Sequence, residues 1–103
     1  MAKASDLSFV LDRPRKGRCF WNVKPSGRYD ADCRLGERLA LEYLAYEEAD
    51  VGGPGLLPSI VCDMPRELTG VEIAFLQLVA LQARAGRGRA QQIVGHWSGL
   101  QAA

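Results

Sequence analysis

The sequence predicts a mainly α fold: a small three-helix domain with an N-terminal extended arm that can close as a two-stranded β-hairpin. Three observations predict it. Thr69 and Glu72 form a T-x-x-E capping box that opens a nearly unbroken apolar run to Arg84. Leu35, Leu39, Tyr43 and Tyr46 recur at helical spacing in a separate, acidic segment. Two runs of strand formers, LSFVL and RCFWNV, flank a polar DRPRKG link ahead of both helices.

At 103 residues the chain reads as one domain, residues 1–103. A chain of this length buries roughly 65% of its unfolded surface, enough for a core without staples. Hydrophobic content of 48% and charged content of 24% exclude global disorder. No apolar run reaches the ~18 residues that a membrane span needs. MAKASDLSF carries one lysine and no long apolar segment, so no secretory signal is expected. Cys19, Cys33 and Cys62 show no C-x-x-C spacing and read as reduced thiols, which places the protein in the cytoplasm.

Residues 1–28 form the basic arm. Leu7 to Leu11 is a short apolar run, and Pro14 punctuates the polar stretch after it. Arg18 to Val23 ends at a KPSG turn. Strand alternation puts Phe20 on one face with Arg18 and Asn22, and Trp21 on the other with Cys19 and Val23, so Trp21 is expected in the core.

Residues 30–49 form an acidic helix. Asp30 or Asp32 caps it, and its core stripe is Leu35, Leu39, Tyr43 and Tyr46. Leu41 and Leu44 fall off that stripe and imply a second contact surface. Asp30–Arg34 and Arg38–Glu42 stand at ion-pair spacing. Glu47, Glu48 and Asp50 lie where the helix dipole prefers cations. Glycines and prolines then force a loop, and LLPSIVC is expected as an extended segment over the core, with Pro58 arguing against a central strand. The central apolar helix occupies 69–85, with Leu68 placed to staple onto Ile73, and a helix apolar nearly all round is expected to be enclosed or shared with a second copy. Gly86 and Gly88 break it, and a short C-terminal helix is expected over 89–98.

Few residues carry chemistry. The single histidine, His96, is placed by nothing beside Cys19, Cys33 or Cys62, so neither a Cys–His nucleophile nor a Cys₃His metal site is expected. The D-A-D at 30–32 starts like a calcium loop but supplies Arg34 and Leu35 where a ligand and a glycine are required. No nucleophile elbow, P-loop or dinucleotide loop occurs. No cofactor, metal or catalytic residue is therefore expected.

Charge is unevenly distributed: +5 over residues 1–28, −6 over 29–68 and +2 over 69–103. Two functions fit. The first is a non-enzymatic interaction or regulatory protein that binds a larger partner or itself, through Glu37 and Glu48 on the acidic helix and Leu76, Gln77 and Leu81 on the apolar one. The second is a nucleic-acid-binding regulator that uses Arg15, Lys16, Arg18 and Phe20 of the arm with Arg87 and Arg89. KGRCFWNV departs at several positions from the aromatic strand of an RNA-recognition sheet, and no strand–helix repeat follows to complete one. The AGRGR link between the last two helices permits a helix-turn-helix with Arg89, Gln91 and Gln92 forward, although Gly95 weakens its second helix.

Overall fold

A computed structural model describes residues 3–49 and 55–85. Over these residues the chain forms a β-hairpin, β1 (Leu11–Arg13) and β2 (Gly17–Cys19), followed by α1 (Tyr29–Ala49), α2 (Leu57–Cys62) and α3 (Gly70–Ala85). The helix expected over 89–98 lies outside the described residues, with Arg87, Arg89, Gln91, Gln92 and His96. No described helix is long and apolar enough to cross a membrane.

The hairpin is antiparallel, with Leu11 opposite Cys19 and Arg13 opposite Gly17. Its tip is Pro14, Arg15 and Lys16. The Lys16 amide donates to the Arg13 carbonyl at 3.3 Å, and Arg15 has a φ of 65°. Proline second and a positive φ third is the pattern of a type II turn, whose third position favours glycine. The strands expected over Leu7–Leu11 and Arg18–Val23 are displaced into the link between them, because Leu7, Phe9 and Trp21 serve the core instead. Leu7 and Phe9 are buried, and the Asn22 amide donates to the Phe9 carbonyl at 2.7 Å.

α1 and α3 pack through backbone contact. A Cβ on Gly36 would lie 2.1 Å from the Val71 carbonyl oxygen. Glycine inside a helix costs about 1 kcal/mol relative to alanine. Here it is required, because no side chain fits between the two helices. Leu39, Ala40 and Tyr43 of α1 face Val71, Ala74 and Phe75 of α3, all buried.

The arm closes this pair with aromatic rings. The Trp21 ring lies 4.8 Å from Phe75 and 5.2 Å from Phe9, and Phe75 lies 5.9 Å from Tyr43. The tilted and edge-on geometries suit the ring quadrupoles, contributing ~0.5–1.5 kcal/mol per pair beyond area burial. Trp21 is only 4% exposed, so the indole lies in the core as expected, although β2 ends at Cys19 and residues 20–23 are not strand.

Two expectations need correction. LLPSIVC is not extended: Leu57–Cys62 is a helix with Pro58 in its first turn and Ile60 fully buried. Proline is suited to that turn, because the first helical N–H groups have no intrahelical partner to lose. α3 is enclosed only in its first half. Val71, Glu72, Ala74 and Phe75 are buried, whereas Gln77, Ala80 and Leu81 are exposed and Leu76, Leu78 and Val79 half-buried. Leu68 also remains exposed, with Ile73 half-buried.

Candidate interaction surfaces

Three acids of the 29–68 stretch hold the arm, and Glu72 of α3 is a fourth. Glu42 of α1 accepts from the Ser8 amide at 2.5 Å and from its hydroxyl at 2.7 Å. Asp63, which follows α2, accepts from the Phe20 amide at 2.7 Å. Asp32, buried in the first turn of α1, accepts from the Ser26 amide and hydroxyl at 2.8 and 2.7 Å and from the Gly27 amide at 3.3 Å. The Ser26 donors hold its carboxyl below the usual carboxylate range. Glu72 of α3 accepts from the Trp21 indole at 3.0 Å, and its other oxygen accepts from the Thr69 amide and hydroxyl at 2.7 Å each. The reach-back limb of the capping box thus forms, while the Thr69 hydroxyl accepts from the Val71 amide at 3.3 Å.

This arrangement replaces the ion pairs expected within α1. Among the described residues the one ion pair within 4 Å is Arg18 with Asp12, at 2.5 Å across the hairpin. Glu42 serves Ser8, and Asp30–Arg34 and Arg38–Glu42 do not close. The unfavourable C-terminal end of α1 is partly answered by Tyr43, whose hydroxyl donates to Glu47. Burial first, and then that carboxylate, push the Tyr43 phenol well above its ordinary value.

Of the arm's cations among the described residues, only Arg18 has a carboxylate within 4 Å. Arg15 and Lys16 extend from the hairpin tip without an ion pair. Arg13 donates through Nε to the Gly17 carbonyl at 3.3 Å. The Arg18 guanidinium stands 5.9 Å from the centroid of the half-buried Phe20 ring, at the outer reach of a cation–π contact. The hairpin therefore presents a basic tip, while Phe20, beyond β2, is half-buried.

The outward face of α1 has a different character. Glu37, Leu41, Ala45 and Glu48 recur at steps of four, four and three and are all exposed. Leu41 is 61% exposed, opposite a face packed against α3. On α3, Gln77 and Leu81 share an exposed face, with Leu81 59% exposed and Leu76 half-buried beside it. Leu41 was legible as lying off the core stripe, but nothing in the local sequence distinguished an outward leucine from one covered by a loop.

Among the described residues no three His, Cys, Asp or Glu side chains converge where a metal ion would sit. Cys19 and Cys33 are half-buried thiols and Cys62 an exposed one. Tyr29 neighbours Cys33, and the hydrogen bond to that thiol raises the phenol's pKa. Comparison with protein-family models, with curated proteins and with solved structures finds no match to this chain.

Proposed function

We propose that the protein is a small, non-enzymatic interaction protein of the cytoplasm that acts by binding a larger partner or a second copy of itself. The observation that carries this reading is Leu41, 61% exposed on the outer face of α1 and flanked along that face by Glu37 and Glu48. An apolar contact point between two acids suits a partner surface with an apolar centre and basic margins, because burial supplies affinity and the flanking charges fix orientation. The open end of α3, with Leu76, Gln77 and Leu81, provides a second contact area. A non-enzymatic role fits the use of the buried acids: Asp32 and Glu72 have both carboxylate oxygens engaged by structural donors. The test compares wild type with Leu41→Lys and Leu81→Lys by light scattering and by pull-down from the native host. A self-association or a bound partner that survives both changes would remove the reading.

The hairpin tip supports a second reading, nucleic-acid binding. Arg15 and Lys16 stand without carboxylate partners, and Arg15 occupies a positive-φ position that favours glycine. Phosphate contact predicts an affinity for DNA or RNA that falls steeply with salt, with a slope reduced by about one for each tip cation removed. Absence of binding at low salt would eliminate it.

A further inference from the structure

We propose that the depression between the arm and the start of α1 is a binding site for a small phosphate-bearing anion. Lys24 and Ser26 line it from the arm, and Asp32, Arg34, Leu35 and Arg38 from α1. Its volume of about 290 Å³ matches the lower end of small-ligand pockets, ~300–1,000 Å³. Arg34 and Arg38 are one helical turn apart, so both guanidinium groups rise from the same side of α1. Lys24 approaches from the other wall. That wall is fixed, because Asp32 accepts from the Ser26 amide and hydroxyl and from the Gly27 amide.

The charge balance points to the ligand. None of the three cations has an ion pair within 4 Å. Glu42, the acid one turn beyond Arg38, is committed to Ser8. Asp32 is the one acid of the lining, and three donors from the arm surround its oxygens. The wall therefore carries a net charge of +2 from Lys24, Arg34, Arg38 and Asp32. Uncompensated like charges repel, and an anion seated among them removes that repulsion. Two guanidinium groups and an ammonium suit a tetrahedral phosphate better than a carboxylate, because its three or four terminal oxygens give each cation an acceptor, where a carboxylate has two oxygens. The half-buried Leu35 gives one side of the depression no donor, which suits a compact group over an extended polyanion. This site uses none of the hairpin-tip cations and none of the residues of the proposed interaction faces.

The test titrates the full chain with inorganic phosphate and then pyrophosphate at constant ionic strength, following the backbone amides of Ser26, Gly27 and Arg34 by NMR. Saturable shifts at these amides are expected, with pyrophosphate the tighter ligand. The Arg34→Gln/Arg38→Gln variant should bind at least about tenfold more weakly, from the loss of charge-assisted hydrogen bonds. Arg15→Gln/Lys16→Gln, of equal net charge, should remain within about twofold of wild type, since its sites lie outside the depression. Lys24→Gln gives an independent variant on the other wall should the α1 pair disturb the fold. Shifts that never saturate, or equal weakening by the hairpin-tip variant, would overturn the proposal. A short oligonucleotide that displaces pyrophosphate from these amides would assign the depression to a phosphodiester chain and overturn the small-anion assignment.

Discussion

The indole N–H of Trp21 donates to one oxygen of Glu72 at 3.0 Å, while the other oxygen of that carboxylate closes the N-terminal cap of α3. One side chain, 1% exposed, thereby starts the central helix and anchors the arm 51 positions earlier in the sequence. Glu72→Ala removes both functions and leaves the indole N–H without a partner in the core. The expected loss is about 2–4 kcal/mol, combining a lost cap with an unsatisfied buried donor. Glu72→Gln is no rescue: both oxygens accept, and the amide must turn its NH₂ toward a donor at one end. It is expected to cost about 1–3 kcal/mol. Urea unfolding of the two variants measures both values.

Gly36→Ala decides between a local and a tertiary effect. Helix propensity alone would make alanine more stable by about 1 kcal/mol. The alanine methyl would meet the Val71 carbonyl oxygen at 2.1 Å, backbone against backbone, and neither helix can yield without moving its neighbours. Overpacking typically costs about 1–3 kcal/mol and more where the clash is with backbone, as here, so the net effect is destabilising. A thermal melt of the variant gives the sign directly.

Acid should loosen the arm at Asp32. Its carboxyl lies below the ordinary value of 3.8, chiefly because the Ser26 hydroxyl and amide donate to the ionised form. A depressed folded-state pKa contributes stability that is present above the unfolded value and is lost as pH falls through the folded one. Stability at Asp32 is therefore retained at pH 5 and declines below about pH 4, the unfolded carboxyl value. Asp32→Asn should be less stable at neutral pH and show a shallower decline between pH 4 and pH 2. Parallel decline in the two proteins would remove Asp32 as a source of the acid sensitivity.

At the hairpin tip, stability and binding are expected to move in opposite directions. Arg15 sits at φ 65°, which costs a non-glycine residue roughly 1–2 kcal/mol, against the ~0.5–1 kcal/mol of backbone freedom that a glycine must lose. Arg15→Gly should raise stability by about 0.5 kcal/mol, the difference of those terms. If the tip contacts phosphate, the same variant binds polyanions more weakly, and the salt slope of binding falls by about one.

The helices were legible because their signals are periodic and local. The capping box located the start of α3, and the spacing from Leu35 to Tyr46 gave the inward face of α1. Trp21 lies inward as expected, but beyond the end of β2, held by Glu72 and by the Phe9 and Phe75 rings rather than by strand alternation. LLPSIVC was misread because a short apolar run has no period of its own, and its proline fits a helix's first turn as well as an edge. The acids were misread for a different reason. Asp30–Arg34 and Arg38–Glu42 have the right spacing for surface pairs, but such pairs contribute only a few tenths of a kcal/mol. A carboxylate accepting from an amide and a hydroxyl of another segment gains more, as Glu42 does from Ser8. The same blind spot hid Gly36, whose role depends on Val71 across a helix crossing. It also hid the Lys24–Arg34–Arg38 depression, since assigning each arginine a local acid concealed that both lack one.

Hydrogen exchange at the Trp21 indole probes the buried anchor on Glu72 directly. In a Trp97→Phe background, which leaves one indole to observe, exchange is expected only through global unfolding, with an opening free energy equal to that from urea denaturation. Exchange at the rate of a free indole would contradict it. The ring would then stand in solvent among Arg15, Lys16 and Arg18, and nucleic-acid binding would become the leading function.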